Sequence, residues 1–398
     1  MKLKFVTLIL GILSLYSCKG QEVISEPIPE VSFSDSRSFI KDHFRTFHCF
    51  QLELNDECAI PEIRSIQDVN GELYVLTNND LLLVFNRTNG RYIRKIGSRG
   101  EGPAEYLSIK DFFFTQDQNQ IGIVDGMAGS IKYYSTAGKF DHEVKLDKSL
   151  AFVQSSEALS DDQLLFSNEV ADPSYSGQNA FMVFDLKQKN AVLDFDNFNP
   201  VQAKGYSTPF ARKPSTRSSG GITFFKFLND TIFHISKDDV VSPIYKLKFN
   251  MPLFTREKAK DIDEAFTQGS MFEVSMKKGY VSGLDKIYET RELIALFPFS
   301  APYKDGTYFI DKKSGKGYHI QAPLEPNVQC KNILELTDFP DFLGSRDDEL
   351  ICVMTQKNIA EMKTFLRKSS MTYSFKELET VVDRADIEGN PILVFYEH

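Results

Sequence analysis

The residues whose types and spacing best suit ligand binding lie in one short segment, residues 97–106. Glycine occupies positions 97, 100 and 102 and proline position 103, which predicts a strained turn with positive φ at each glycine. Four side chains of this turn are candidates for ligand contact: Arg99, Glu101, Glu105 and Tyr106. The three charged side chains, Arg99, Glu101 and Glu105, would line a polar opening at the protein surface. The alternative is a structural turn in which Glu105 caps the next strand and pairs with Arg99.

Familiar catalytic and cofactor-binding motifs are absent from the chain. No Gly-Lys-Ser/Thr follows the glycines, which excludes a Walker-type phosphate loop, and there is no Gly-x-Ser-x-Gly elbow. None of the six histidines has a partner at metal-ligand spacing. We therefore expect neither a metal nor a cofactor. His234 and His319 each lie in an apolar stretch and are expected to be structural.

Two further sets of charged residues attract attention. Paired aspartates recur near predicted strand entries: Asp161-Asp162, Asp238-Asp239 and Asp347-Asp348. We expect them to bond the local backbone in turns, with calcium binding as the alternative. Arg212, Lys213 and Arg217 fall in a serine-rich stretch that ends in Gly220-Gly221. We expect this stretch to be a solvated loop, with recognition of an anionic ligand as the alternative.

The N-terminus carries the pattern of a covalent modification. Lys2 and Lys4 precede an apolar run, residues 5–15, which leads through Tyr16-Ser17 into Cys18. The run is shorter than the about 20 residues that span a bilayer as a helix. The pattern resembles the lipobox of bacterial lipoproteins, in which the cysteine is diacylated and becomes the mature N-terminus; a plain signal peptide is the alternative. It predicts a signal peptide over residues 1–17, lipidation of Cys18 and a cell-envelope protein anchored by lipid to the outer membrane.

The amino-acid composition excludes one class of binding partner and favours one class of fold. The net charge of −9 argues against nucleic acid, because phosphate neutralisation needs a concentrated basic face. The 34 phenylalanines and 16 tyrosines favour strands over helices. Four cysteines remain besides Cys18. Pairing Cys49 with Cys58 and Cys330 with Cys352 would staple two short regions; four buried thiols are the alternative.

From about residue 47 the chain repeats a unit of four short strands. The clearest copy covers residues 66–96, with hairpin signals at Asn70-Gly71 and Thr88-Asn89-Gly90. The second strands of successive copies begin near residues 73, 121, 163, 231, 307 and 350, a spacing of about 40–50 residues where uninterrupted, as in a propeller blade. A β-sandwich with a helical domain is the alternative.

Helices interrupt this pattern in three places. Residues 255–266 and 355–368 are helix-compatible, and Ser374 to Glu377 matches a capping box before a third helix. The chain ends in a strand after Asn390. Either this strand or residues 47–54 would close the ring, which removes an open sheet edge.

The glycine turn also carries a resemblance to a known family. Residues 95–106 read Lys-Ile-Gly-x-x-Gly-x-Gly-Pro-x-Glu-Tyr, which resembles the signature of six-bladed, NHL-like β-propeller lipoproteins of Gram-negative gut bacteria, many of them without an assigned function. Asn70-Gly71, the 347–351 strand entry and Asn390-Pro391 fit the same family, while Ala104 replaces a common glycine. The resemblance implies an all-β, six-bladed propeller over residues 47–398, with short helical insertions, preceded by a lipidated tether over residues 18–46.

These observations lead to two expectations about function. The first is an envelope-anchored propeller that binds a small molecule, a glycan or an envelope protein, with the membrane contacted through the N-terminal lipid. The alternative is a propeller enzyme, a lyase or a glycoside-active protein, with acidic residues in the central channel. A perturbed pair of carboxylates in that channel would favour the enzyme.

Overall fold

The computed structural model describes residues 27–36, 43–44, 46–146, 153–168, 179–197, 211–226, 228–255, 257–258, 278–281, 283–298, 306–320, 341–368 and 376–398. The predicted signal peptide and Cys18 lie outside these residues. The first two residues of the predicted capping box, 374 and 375, lie outside them as well. Within the described part of the chain, no helix is both long and apolar enough to cross a membrane.

Two strands precede the first repeat, β1 (Glu30–Asp35) and β2 (Thr46–Gln51). The first four-stranded antiparallel sheet then contains β3 (Ile63–Val69), β4 (Glu72–Thr77), β5 (Leu82–Asn86) and β6 (Tyr92–Lys95). At the β3–β4 turn, Asn70 and Gly71 both have positive φ, 52° and 79°. This is the backbone that a two-residue Asn-Gly hairpin requires, as the sequence predicts.

The next two repeats form separate four-stranded sheets of the same kind. The second contains β7 (Asp111–Phe114), β8 (Gln120–Asp125), β9 (Ser130–Ser135) and β10 (Phe140–Lys145). The third contains β11 (Val153–Ala158), β12 (Gln163–Asn168), β13 (Asn179–Asp185) and β14 (Asn190–Asn197).

The following two repeats belong to one nine-stranded sheet. One antiparallel half contains β15 (Ser215–Ser218), β16 (Gly221–Phe225), β17 (Thr231–Ser236) and β18 (Val241–Lys248). The other contains β19 (Leu284–Glu289), β20 (Leu293–Pro298), β21 (Thr307–Asp311) and β22 (Gly317–Ile320). Strand β1 lies between β18 and β22 and pairs in parallel with both.

Strand β1 changes the expected division into blades. The sequence predicts six separate blades, whereas the described strands form four separate four-stranded sheets and one sheet of nine. Residues 30–35, which the sequence assigns to the tether, bury Val31 and Phe33 instead, and Phe33 stacks on Phe249 with ring centroids 5.0 Å apart. The mostly β, propeller-like class is confirmed, but the count of six separate blades is not.

The last sheet combines both ends of the chain. It contains β23 (Asp341–Arg346), β24 (Glu349–Met354) and β25 (Ile392–Glu397) in the order β2-β25-β24-β23. Between β24 and β25 lie two helices, α1 (Gln356–Lys368) and α2 (Lys376–Arg384), whose buried apolar faces pack on this sheet. The C-terminal strand β25 thus lies between β2 and β24, so both predicted closing strands take part.

The hydrophobic core is divided among six clusters of buried side chains in the described part of the chain. Each cluster joins two successive four-stranded units, and one joins the closing sheet back to the first sheet through contacts such as Leu343 and Phe395 with Ile66 and Phe85. Burial of apolar surface between consecutive units therefore closes the ring.

Two cysteines do not pair as expected. Cys49 and Cys58 are both buried and free, so the predicted Cys49–Cys58 disulfide is wrong. Burial raises the pKa of the Cys49 thiol to about 12, and the Cys58 thiol donates to the backbone oxygen of Glu53 at 3.1 Å. They behave as small apolar core residues. Cys330, the proposed partner of Cys352, lies outside the described residues.

Candidate functional site

The glycine turn at residues 97–106 connects β6 to β7 and is held together by its own backbone. Arg99 and Tyr106 form an isolated bridge, in which the Gly100 amide donates to the Tyr106 oxygen and the Tyr106 amide donates to the Ser98 oxygen, both at 3.0 Å. The turn is therefore a closed loop whose two ends meet.

The Glu105 carboxylate fills the inside of this loop. It accepts from the Gly102 amide at 2.9 Å and from the Ser98 hydroxyl at 3.4 Å. A Cβ at Gly100 would lie 2.0 Å from the carboxylate oxygen. Among the turn's glycines only Gly97 has positive φ, 65°, so the expectation of positive φ at positions 100 and 102 is wrong. Glycine is required at position 100 because the carboxylate takes the space of a side chain.

Tyr106 also faces the interior. Its side chain is buried, and its hydroxyl donates to the Asp80 oxygen at 3.1 Å. Burial raises its pKa. From the neighbouring sheet, the Tyr134 hydroxyl donates to the Ala104 oxygen at 2.8 Å. The turn is thus fixed to the first two sheets.

Arg99 and Glu101 are exposed at the surface of the turn. No residue of 97–106 lines either of the two cavities described below. The ligand role of Arg99, Glu101, Glu105 and Tyr106 remains a prediction. The structure gives Glu105 and Tyr106 internal partners, and Arg99 does not pair with Glu105 in the way that the structural alternative proposes.

A cavity of about 400 Å³ lies where the first strands of the repeats meet. Its lining includes residues of six edge strands: β3, β7, β11, β15, β19 and β23. Neighbouring members of this set contact one another around the ring, as β3 does with β23 and β15 with β19. The cavity is therefore the axial channel of the propeller-like fold, the place where ring proteins of this kind bind ligands.

Charged groups of both signs line this channel. Five are carboxylates and five are cations: Asp68, Asp111, Glu157, Glu289, Asp347, Lys213, Arg217, Arg291, Lys312 and Arg346. Amide and hydroxyl side chains stand between them: Ser65, Gln67, Gln118, Thr216, Ser218, Ser219, Thr290 and Ser345. Phe113, Phe114 and Tyr288 contribute aromatic surface. Hence the lining offers hydrogen-bond donors, acceptors and ring surfaces at once.

Two largely buried charges form a pair between β11 and the residues before β15. Glu157 accepts a hydrogen bond from the Lys213 ammonium, and the side chains are only 11% and 19% exposed. Burial raises the pKa of Glu157 against the opposing effect of Lys213. Burial by itself lowers the pKa of Lys213, but the carboxylates of Glu157 and Asp111 outweigh it and raise that pKa. Lys213 is therefore a fixed cation at neutral pH.

Asp111 stands beside this pair and is held by the neighbouring strand. Its Oδ2 accepts from the Ser156 amide at 2.7 Å and from the Ser156 hydroxyl at 3.1 Å. Asp111 and Lys213 both line a second cavity as well, about 160 Å³, which lies toward the starts of the same strands. These two residues, with Ser65, Tyr288 and Leu343, mark the junction of the two cavities.

A second buried carboxylate sits between two arginines on the other side of the channel. The Asp68 side chain is fully buried; Arg87 donates to its Oδ2 at 2.7 Å and Arg346 to its Oδ1 at 2.8 Å. Burial raises the pKa of Asp68, while both guanidinium groups oppose the shift. Arg87 also reaches Glu349 on β24. This network joins the closing sheet to the first sheet.

The basic stretch at residues 212–221 contributes to the lining of the channel, which includes residues 213 and 216–219. The sequence predicts a solvated loop there, but Ser215–Ser218 form the edge strand β15 and Lys213 is buried beside Glu157. The Arg212 Nε donates to Asp285 Oδ2 at 2.8 Å. The signal that could have revealed this strand is the turn at Gly220-Gly221, which lies directly before the apolar run of β16 and therefore predicts a hairpin with a preceding strand.

The remaining predicted sites lie outside the channel or form part of its rim. In the described residues, Asp162 pairs with Lys187, Asp239 accepts from Gln163 at 3.1 Å, and Asp347 has positive φ. No group of three or more His, Cys, Asp or Glu side chains in the described residues is placed to hold a metal ion. His319 on β22 stacks on Tyr308 of β21, outside the lining of both cavities.

Comparison with known proteins identifies a family. The family model described as "Domain of unknown function (DUF4934)" matches residues 30–397. A search of curated proteins found no match. Among solved structures, a Bacteroides fragilis protein described as a "putative exported protein" is 18% identical, with a TM-score of 0.73, covering 92% of this chain and 98% of its own. A DUF4221 family member from Bacteroides vulgatus is 11% identical, with a TM-score of 0.49, covering 89% and 96%. The first likeness supports the fold alone.

Proposed function

Since the chain belongs to the DUF4934 family, whose function is unknown, we propose a function from the channel: the protein is an envelope-anchored module that binds a small polar ligand of saccharide type. The observation that carries the proposal is the convergence of six edge strands on a cavity of about 400 Å³ with polar groups on every side. This volume falls within the range of ligand pockets, about 300–1,000 Å³.

The chemistry of the lining supports a saccharide. Sugars present hydroxyl groups that donate and accept, and apolar ring faces that pack on aromatic side chains. Gln118 and Ser345 supply the hydrogen-bonding contacts on different elements of the ring, and the aromatic residues Phe113, Phe114 and Tyr288 add a narrow apolar surface, since each is 3% exposed. The Ser65 hydroxyl is buried without a hydrogen-bond partner among the described residues, at the junction of the two cavities.

A plug in the mouth of the channel tests this proposal. Ser219 is exposed in the β15–β16 turn and lines the cavity, so Ser219→Trp should block entry at little cost in stability. Ser314 is equally exposed in the β21–β22 turn but lines neither cavity, which makes Ser314→Trp the matched control. Calorimetric titration with neutral and acidic oligosaccharides should show binding to the wild type and Ser314→Trp and none to Ser219→Trp. Equal binding by all three proteins would contradict the proposal.

Membrane anchoring is the second part of the proposed function. Its support is the resemblance of residues 2–18 to a lipoprotein signal and the description of the structurally similar Bacteroides fragilis protein as a "putative exported protein". Two or three acyl chains at Cys18 would anchor the protein stably, because a single chain binds membranes only marginally. Cys18→Ala should move the protein to the soluble fraction. Continued fractionation with membranes after a high-salt wash would contradict lipidation.

One observation favours catalysis as a second candidate function. Glu157 and Asp68 are carboxylates in one cavity whose pKa values are raised by burial, as acid–base residues require. Glu157 is the candidate to act on the ligand, because Asp68 is enclosed by two arginines. Product analysis after incubation with oligosaccharides should then show cleavage that Glu157→Gln abolishes. Binding without any product would leave the binding module as the function.

A further inference from the structure

Most, but not all, of the cations that line the channel form ion pairs with carboxylates. Four of the five cations have a carboxylate partner: Lys213 with Glu157, Arg291 with Asp348, Lys312 with Glu289, and Arg346 with Asp68. Arg217 forms no ion pair with any of the described residues. An anionic ligand group gains more binding free energy at a cation without a carboxylate partner than at one that is already paired.

Arg217 is nevertheless fixed in position. Its residue pairs with Ile222 in the β15–β16 hairpin, and its guanidinium donates to the Gln116 side-chain oxygen at 2.9 Å. The Gln116 amide nitrogen in turn donates to the Ala158 oxygen at 3.0 Å. The Gln116 amide, which is itself held by the third unit, orients the guanidinium group of Arg217 in the fourth unit. Because this amide is neutral, it does not cancel the charge of Arg217. Such preorganisation lowers the entropic cost of binding.

The accessible charge of the cavity lining is mainly positive. Arg217 is exposed, and the Arg291 and Arg346 side chains are 69% and 38% exposed. Four of the five carboxylates are withdrawn from solvent: the side-chain exposures are 0% for Asp68, 7% for Glu289 and 11% for Glu157, and Asp111 is also buried. Although the formal charges of the lining balance, a ligand entering the channel meets cations more readily than anions. Only Asp347, 71% exposed, opposes this at the rim.

We infer that Arg217 is the anchor of an anion subsite, so that the ligand of the channel carries a carboxylate, sulfate or phosphate group. Ser219, two positions along the chain from Arg217, is exposed, lines the cavity and can donate a hydroxyl hydrogen bond to the same group. The ligand class is therefore an acidic saccharide, and this inference rests on the proposed function for its saccharide part only.

The test compares matched ligands on matched variants. The probes are methyl glucuronide, which carries a carboxylate, methyl glucoside, which does not, and inorganic sulfate. The proteins are the wild type, Arg217→Gln, and Arg91→Gln, an exposed arginine at the β5–β6 turn that lines neither cavity. Equal melting temperatures of the three proteins confirm that all are folded, and calorimetry at low salt then measures the dissociation constants.

A hydrogen bond to a charged group changes affinity by about tenfold to a hundredfold. The wild type and Arg91→Gln should therefore bind the glucuronide at least about tenfold more tightly than the glucoside. For Arg217→Gln the ratio of the two constants should fall to about one. The preference of the wild type should also weaken as salt is added, because an ion contact at a channel mouth is screened.

The outcomes separate this inference from the proposed function. Binding of both sugars with no preference for the glucuronide, or a preference that Arg217→Gln retains, overturns the anion subsite and leaves the saccharide module standing. Arg217-dependent binding of sulfate with no binding of either sugar supports the subsite and overturns the saccharide class. Failure of all three probes to bind overturns both.

Discussion

The glycine turn at residues 97–106 and the basic stretch at residues 212–218 are both polar, charged and singled out by sequence, yet the fold uses them in opposite ways. In the turn, Glu105 finds its partners three and seven residues away and fills the loop itself. In the basic stretch, Lys213, Arg212 and Arg217 find partners 56, 73 and 101 residues away. A charged segment that satisfies itself locally is a connector, whereas one whose partners come from other units lies where those units meet.

The largest expected effect comes from breaking the ring, whose different units supply the partners of the basic stretch. Strand β25 lies between β2 and β24, and Ile392 to Tyr396 are almost completely buried. Ending the chain at residue 385 would leave β2 without a partner and expose one edge of β24, so we expect no cooperative unfolding transition in circular dichroism melts. Removal of His398 alone is the control and should leave a cooperative transition. A shortened chain that melts like the full one would show that the ring closes without β25.

The next largest effect is expected when one partner of the buried Lys213–Glu157 pair in the channel is removed. Lys213→Met leaves the Glu157 carboxylate buried without its cation, which should cost about 3–5 kcal/mol in urea unfolding. The double variant Glu157→Leu with Lys213→Met should recover most of this loss. Lys187→Met, which breaks the exposed pair with Asp162, is the matched control and should cost less than about 1 kcal/mol.

The same variant should make stability depend on pH. Without Lys213 the pKa of Glu157, already raised by burial, rises further, so the folded state holds its proton more tightly than the unfolded state. Stability is then retained below the ordinary glutamate pKa of about 4.3 and lost as the pH rises through the higher folded value. The deficit of Lys213→Met should be larger at pH 8 than at pH 5. A deficit that does not change with pH would mean that Glu157 is neutralised in another way.

A smaller effect is expected at the glycine turn. Gly100→Val would push the Glu105 carboxylate away from the Gly102 amide and should cost about 1–3 kcal/mol in the same assay. Gly220→Val is the control, because a Cβ there has only ordinary contacts, the nearest at 3.7 Å, and φ is not positive. Equal stability of both variants would contradict the idea that the carboxylate fills the loop.

The smallest effect is expected for the exposed charges of the turn. Arg99→Ala and Glu101→Ala should each change the free energy of unfolding by no more than about 0.5 kcal/mol. If the turn is only a connector, they should also leave the affinity for channel ligands unchanged in calorimetric titration. Loss of binding in either variant would support the ligand role that the sequence predicts for them and would weaken the contrast between the two regions.

The amino-acid sequence by itself determines the repeating strands, the hairpin at Asn70-Gly71, the helix at Gln356–Lys368 and the part played by the two terminal strands in closure. These follow from local rules: alternation of apolar residues, turn chemistry and capping act over a few neighbouring positions. The same rules place Gly97 at positive φ, 65°.

Only the tertiary structure decides what depends on distant partners. It inserts Glu30–Asp35 between two sheet edges, leaves Cys49 and Cys58 as thiols, and turns an apparent surface loop into the channel strand Ser215–Ser218. Strand pairing, burial and ion pairing across more than fifty residues are set by how the units pack around the ring, and no local pattern encodes which edge or which carboxylate a segment will meet. For that reason the sequence suggested a ligand site at the turn, while the packing of the units created the cavity and gave Arg217 its place in it.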